Sequence, residues 1–169
     1  MYLAPYKRNM KNYALTLHEG AYDPSMNSSS NNNRRISGNG LTALVVDDNP
    51  HTLRFAAAML EKLGYSILLA GEGLEALFHL KDLSCELVLT DFDMPTINGY
   101  QLGRKVKSLF AGTRVVIMTG LCQTDVAELM IDASIDGWLF KPFGLEQLKA
   151  TLLHIGLPGS AGVKPLSIE

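Results

Sequence analysis

The sequence is poor in several features that would settle its class at once. It has two cysteines among 169 residues, Cys85 and Cys122. They stand at no metal-ligand spacing, which excludes a disulfide scaffold or zinc module and favours a reducing, cytoplasmic setting. No apolar run reaches membrane-spanning length, and residues 1–22 are broken by charges where a secretion signal has an unbroken apolar core. There is no G-x-x-x-x-G-K-[ST] phosphate loop and no internal repeat. Neither charge dominates: 15 basic residues face 17 acidic ones, which argues against a broad electrostatic nucleic-acid footprint.

What remains is enough for one domain with a full hydrophobic core. Residues 1–40 contain the polar tract Ser28-Ser29-Ser30-Asn31-Asn32-Asn33 and carry a net charge of +3. Such a stretch buries too little apolar surface to order itself, and a flexible tail is expected there. Residues 41–155 carry a net charge of −5 and alternate short apolar runs with longer amphipathic ones. This texture predicts strands over 42–47, 65–70, 86–91, 114–119 and 136–140, and helices over 50–63, 73–82, 98–110, 123–133 and 144–155. In the first helix Leu53, Ala56, Ala57, Leu60 and Leu63 recur at helical spacing, with Pro50 in the first turn and Gly64 at the carboxyl end. In the fifth, Leu145, Leu148, Leu152 and Leu153 form the expected buried stripe. Five βα units imply a doubly wound α/β domain with a parallel sheet covered by helices on both faces. Residues 156–169, rich in Gly and Pro, read as a second flexible tail, too short for an output domain.

The chain is organised around Leu87-Val88-Leu89-Thr90-Asp91-Phe92-Asp93-Met94-Pro95. Its apolar run reads as a central strand with Asp91 at the carboxyl end, where open α/β sheets place their working sites. The same edge collects Asp47 and Asp48 from the first strand, Thr119 from the fourth and Lys141, followed by Pro142, from the fifth. Crowded carboxylates raise one another's pKa unless a hard cation holds them, and an oxygen-rich set suits Mg²⁺. Lys141 adds an ammonium able to pair with Asp91 or with an oxyanion on it, and Thr119 adds a hydroxyl donor. Such a setting makes Asp91 a plausible nucleophile toward phosphorus, since charge neutralisation supplies most of the help in phosphoryl transfer.

VVDDNP (45–50), LVLTDFDMPTINGY (87–100), VIMTG (116–120) and DGWLFKPF (136–143) occur in the order and approximate spacing of the four landmarks of response regulator receiver domains. Residues 41–155 thus resemble the receiver domain of two-component systems, in particular the stand-alone chemotaxis type. The resemblance implies a flavodoxin-like sheet in strand order 2-1-3-4-5. It makes Asp91 the phosphoacceptor, Asp48 the principal acidic metal ligand, Asp47 its neighbour acting through water, and the Asp93 backbone carbonyl a further Mg²⁺ ligand. Thr119 becomes the hydroxyl that moves toward the phosphoryl group, Lys141 the paired cation and Trp138 the switch aromatic. The implied donor is a sensor histidine kinase or a histidine phosphotransfer protein, and the domain would catalyse its own phosphorylation and dephosphorylation. Output would come from the surface of the fourth helix, fifth strand and fifth helix, by protein contact or homodimerisation through that face. No recognition helix follows residue 155, so direct DNA binding is not expected, and neither is a membrane partner.

The pattern has departures. Ser134 stands where the family commonly has Gly, which would make a left-handed backbone costly there. Trp138 is bulkier than the usual Tyr or Phe, and its indole N–H needs a partner. Asp93 adds a second negative charge beside the acceptor. Three other readings compete. Asp47-Asp48 alone would be an ordinary cap for the first helix. Gly71-x-Gly73-x-x-Ala76 imitates a dinucleotide-binding fingerprint, although Glu72 and Glu75 would oppose a pyrophosphate. A receiver-shaped module that binds a partner without phosphorylation is the third.

Overall fold

The computed structural model describes residues 40–159; the expected tails over 1–40 and 156–169 lie largely outside the described residues. Five parallel strands, β1 (Thr42–Val46), β2 (Ser66–Ala70), β3 (Leu87–Asp91), β4 (Arg114–Thr119) and β5 (Gly137–Phe140), form one sheet in the order β2-β1-β3-β4-β5. Four α-helices connect or follow them: α1 (Pro50–Lys62), α2 (Gly73–Asp82), α3 (Gly99–Leu109) and α4 (Leu145–His154). The expected sheet and strand order are therefore present, and every strand lies within a residue or so of its predicted limits. Among the described residues no helix is long and apolar enough to cross a membrane.

The central strands are apolar because both their faces are covered. β1 and β3 are buried at every position, whereas the edge strand β2 is mostly half-exposed. On one face Ala43, Val45, Leu87, Leu89, Val116 and Met118 pack against α1 and α4, and on the other Leu44, Val46, Val88, Val115 and Ile117 pack against α2 and α3. A fully buried leucine in such a layer stabilises the fold by roughly 1.5–3 kcal/mol. In α1 the predicted stripe is in place: Ala56, Ala57, Leu60 and Leu63 are buried and Leu53 packs against them. In α4 only Leu148 and Leu152 are fully buried, and Leu153 turns out to solvent at 57% exposure, contrary to its expected place in the stripe.

Helix boundaries follow local chemistry. Asn49 Oδ1 accepts the backbone N–H of His51 and Thr52 ahead of Pro50, and Gly64 leaves α1 with a φ of 85°. At α3, Asn98 and Gln101 exchange side-chain and backbone hydrogen bonds in a capping box.

One predicted helix is absent. Residues 123–133 form turns with a single 3-10 turn at Leu129–Ile131, so the last α-helix of the domain is the fourth rather than the fifth. The reason is competition from side chains. Leu121 N–H bonds to Thr119 Oγ1, and Asp132 Oδ1 takes Ser134 N–H while its carbonyl takes Ile135 N–H. The same bonds remove the difficulty expected at Ser134, whose φ is not positive; among non-glycine residues described, only Thr96, at φ 73°, takes that conformation.

Candidate functional site

The carboxyl ends of β1, β3, β4 and β5 meet at one edge of the sheet. Parallel pairing sets this alignment: Val46 is level with Thr90, Asp91 with Met118 and Thr119 with Phe140. Each strand therefore delivers the residue that follows its apolar run to the same edge. Asp47 and Asp91 are buried, Thr119 is buried beside them, and Asp48 is exposed.

Because Asn49 caps α1, neither Asp47 nor Asp48 serves as that cap. Asp47 Oδ1 accepts Asn49 N–H at 2.9 Å, and its other oxygen lies 3.2 Å from Lys141 Nζ. Lys141 Nζ also donates to Asp91 Oδ1 at 2.6 Å, while Asp91 Oδ2 accepts Asp93 N–H at 2.9 Å. One ammonium thus bridges two buried acids. Burial pushes the Asp47 carboxyl above its ordinary range, and the nearby Asp91 charge adds to this, against the pull of Asn49 N–H and Lys141. Burial pulls the Lys141 ammonium down, but Asp91 and Asp47 more than offset it, so it is held protonated well past neutrality.

The edge fits a hard divalent cation. Carboxylate oxygens of Asp47, Asp48 and Asp91 all lie within 4.8 Å of one another. Three carboxylate oxygens so close together could hold one hard divalent cation such as Mg²⁺, which would neutralise charge there. The donors are all oxygen, one of them is exposed enough for waters to complete an octahedron, and three negative charges face a single ammonium. That imbalance is the chemical reason to place a cation here.

Thr119 Oγ1 accepts Leu121 N–H at 3.0 Å. Asp93 is exposed. Trp138 lies on the α2/α3 face of the sheet, where its ring packs against Phe92 with centroids 6.1 Å apart. Its indole Nε1 is buried without a partner, so the concern about this bulky aromatic is realised. Phe92 directly follows Asp91, and nothing in the sequence singled it out. The close approach of Gly99 was also missed: a Cβ there would stand 2.1 Å from the Asp91 carbonyl oxygen. The Asn-Gly pair at 98–99 was the available signal, since only glycine lets α3 start so near the end of β3.

The glycine-rich turn after β2 does not form a nucleotide site. Gly71 N–H is taken by Glu75 Oε2 at 2.7 Å, so a carboxylate sits where a phosphate would have to go.

Comparison with known proteins agrees with this geometry. A family model for the response regulator receiver domain matches residues 43–153. The chain is 34% identical over 116 residues to the sensor histidine kinase RcsC of Salmonella typhi, covering 69% of this chain and 12% of that one. It is likewise 34% identical over 119 residues to the virulence sensor protein BvgS of Bordetella bronchiseptica, covering 66% of this chain and 10% of that one. It therefore spans only a small part of the length of these relatives. Among solved structures, chemotaxis response regulator CheY4 of Vibrio cholerae superposes with a TM-score of 0.62 at 26% identity, over 69% of this chain and 98% of that one. The receiver domain of sensor histidine kinase PA1611 of Pseudomonas aeruginosa, solved with a magnesium ion coordinated in its active-site cleft, has a TM-score of 0.61 at 27% identity, over 69% and 98%.

Proposed function

The chain belongs to the response regulator receiver domain family, and from that premise we propose that it accepts a phosphoryl group on Asp91 from a phosphohistidine, in a Mg²⁺-dependent reaction. One observation carries the reading above the others: Lys141 Nζ reaches Asp91 at 2.6 Å inside a cluster of three carboxylates that, among the described residues, has no second cation to balance it. A site retired from chemistry has no reason to keep such a charge deficit.

In the transfer, one Asp91 carboxylate oxygen forms a bond to phosphorus as the donor's N–P bond breaks, and the electron pair leaves on the imidazole nitrogen. No general base is required, because the attacking oxygen carries no proton. Lys141 keeps its proton and stays within reach of an oxygen on the acceptor, so its charge follows the growing dianion. The Thr119 hydroxyl would donate a hydrogen bond to that dianion and keep its own hydrogen. Asp47, Asp48, Asp91 and the Asp93 carbonyl would hold Mg²⁺, which when bound neutralises charge on the transferring group. The donor is a sensor histidine kinase or a histidine phosphotransfer protein, in keeping with the sensor kinases among its relatives. The response is a shift in the surface formed by residues 120–136, β5 and α4, with Trp138 as its aromatic. Output passes to another protein or to a second copy through that surface.

Incubation with a small-molecule phosphodonor and Mg²⁺, followed by intact mass, tests the reading. The wild type is expected to gain one phosphoryl group. Asp91→Ala and chelated wild type are expected to gain none, and an unmodified wild type or a modified Asp91→Ala would sink it.

A further inference from the structure

The stretch between β4 and β5 is where the sequence pattern and the structure differ by a whole element. A helix begun at Asp125 would place Val126, Leu129, Met130 and Ala133 on one stripe, with Glu128 at the third helical position to complete an acidic first turn. The pattern is helical, yet the residues are not. Only Val126 of that stripe is fully buried, and Ile131 stands 83% exposed.

Two tethers hold the stretch unwound. At its far end Tyr100 Oη, from α3, donates to Asp132 Oδ2 at 2.6 Å, and Arg104 Nε lies 3.7 Å from the same oxygen. Asp132 Oδ1 meanwhile takes Ser134 N–H at 2.8 Å, which fixes a turn where the helix would have its last residues. The Tyr100 bond first, then those from Ser134, bring the Asp132 carboxyl down to about 2, so it accepts as a full anion. An anion at a helix carboxyl end is unfavourable, and here it is bound to a different helix instead. At the near end Thr119 Oγ1 holds Leu121 N–H at 3.0 Å.

A third observation lies beside these tethers. Trp138 Nε1, on the sheet face shared with Ile135 and Tyr100, is buried with no partner. Buried donors are seldom left unmet, and an orphan of this kind favours any rearrangement that meets it.

We propose that residues 123–133 are a conditional helix, held unwound by the Tyr100–Asp132 latch and released when Thr119 leaves Leu121 for a phosphoryl group on Asp91. The coupling to Asp91 rests on the function proposed above, whereas the latch does not. Loss of the near tether frees the first turn, and the amphipathic stripe then drives winding from Asp125 onward.

Backbone NMR of residues 121–133, with Cα shifts and amide exchange, tests this on the full chain. The wild type is expected to show no helical shifts over 123–133. Tyr100→Phe, which deletes only the donor, and Asp132→Ala, which deletes the acceptor together with the Ser134 turn, should each produce them, and the double variant should wind no further than Asp132→Ala alone because that variant already lacks the shared bond. Phosphodonor with Mg²⁺ should wind the wild type likewise. Adding Ala127→Gly to Tyr100→Phe, at an exposed position away from the latch, should lower the wound population about fivefold. A folded Tyr100→Phe that keeps coil shifts, or a wild type already helical there, overturns the latch. Intact mass on the same samples separates the two proposals. A phosphoryl group gained without winding defeats the coupling, whereas winding in the variants with no phosphoryl gain defeats the reading of Asp91 and leaves the latch standing.

Discussion

The two ends of the same five strands treat charge in opposite ways. At the amino end each acid is matched. Asp136 receives Lys107 at 2.6 Å, Arg114 at 2.8 Å and Val115 N–H at 2.8 Å, and Glu86 receives Thr42 N–H at 2.7 Å. Thr113 Oγ1 closes the set by donating to the Cys85 carbonyl. At the carboxyl end three carboxylates share one ammonium. The first arrangement is balanced within itself, whereas the second carries an excess of negative charge. Burial acts on both ends, but at Asp136 its upward push is outweighed by Lys107, Val115 and Arg114 and the carboxyl ends below its ordinary value, whereas at Asp47 it is not outweighed and the carboxyl ends above. Satisfied polar groups hold this fold together, and crowded carboxylates at the other edge mark the candidate site.

The largest expected effect is at the amino end. Asp136→Ala strands Lys107 and the Val115 N–H in a nearly closed site and should destabilise the domain by about 3 kcal/mol, measured by urea unfolding. Mg²⁺ binding should be unchanged. Because the folded pKa of Asp136 is lowered, its contribution is complete above the unfolded value and is lost as pH falls through the folded one. The variant should therefore show a shallower acid limb than the wild type. Equal acid limbs would break the comparison at its strongest point.

The matching substitution at the other edge should have the opposite sign. Asp47→Asn removes one of the crowded charges, keeps an acceptor for Asn49 N–H, and should stabilise the ion-free domain by about 1 kcal/mol while weakening Mg²⁺ binding. The raised folded pKa makes the wild-type penalty grow as pH rises through it, so the gain should be present at neutral pH and vanish in acid. Destabilisation of the ion-free protein at neutral pH would mean that the Lys141 bridge outweighs the crowding.

The sequence conveys these two edges unequally. The carboxyl edge is legible because each catalytic candidate directly follows an apolar strand, so that finding β1, β3, β4 and β5 also finds Asp47, Asp48, Asp91, Thr119 and Lys141. Strand order adds nothing to the search, since all the carboxyl ends share an edge in any order. The amino edge is not legible, because Asp136, Lys107 and Arg114 come from three elements and look like ordinary surface charges until the register of β4 and β5 is known. The helix over 123–133 fails for a similar reason. Its periodicity is local, but the bonds that unwind it come from Tyr100 and Thr119, which no window on the segment contains. Thr96 is a third case: a β-branched residue was not expected at φ 73°, in the turn that brings Gly99 against the Asp91 carbonyl.

Thr96 offers a smaller test of the same contrast, since it stores backbone strain at the carboxyl edge. A left-handed residue of this kind costs roughly 1–2 kcal/mol, part of which a glycine gives back through its freer unfolded chain, so Thr96→Gly should stabilise by about 0.5 kcal/mol. Thermal unfolding of the ion-free protein measures it, and loss of stability would place the cost of the loop elsewhere.

A further contrast concerns the two thiols, one toward each edge. Cys122, just beyond β4, is exposed; Cys85, just before β3, is buried and lines a groove with Leu80, Leu83 and Phe110. Burial first, and the Glu86 charge second, push the Cys85 thiol up to about 12, so at neutral pH it holds almost no thiolate, the form that reacts. An alkylating reagent at neutral pH should therefore modify Cys122 rapidly and Cys85 only through molecules that have transiently opened, with peptide mass spectrometry assigning the sites. Opening then links this test to the first. If Asp136→Ala removes about 3 kcal/mol, the open population rises roughly a hundredfold, and Cys85 labelling should accelerate by that factor while Cys122 labelling does not change. Fast labelling of Cys85 in the wild type would mean that the groove admits reagent to a thiolate in the closed state, and the amino edge would then be less tightly matched than its ion pairs imply.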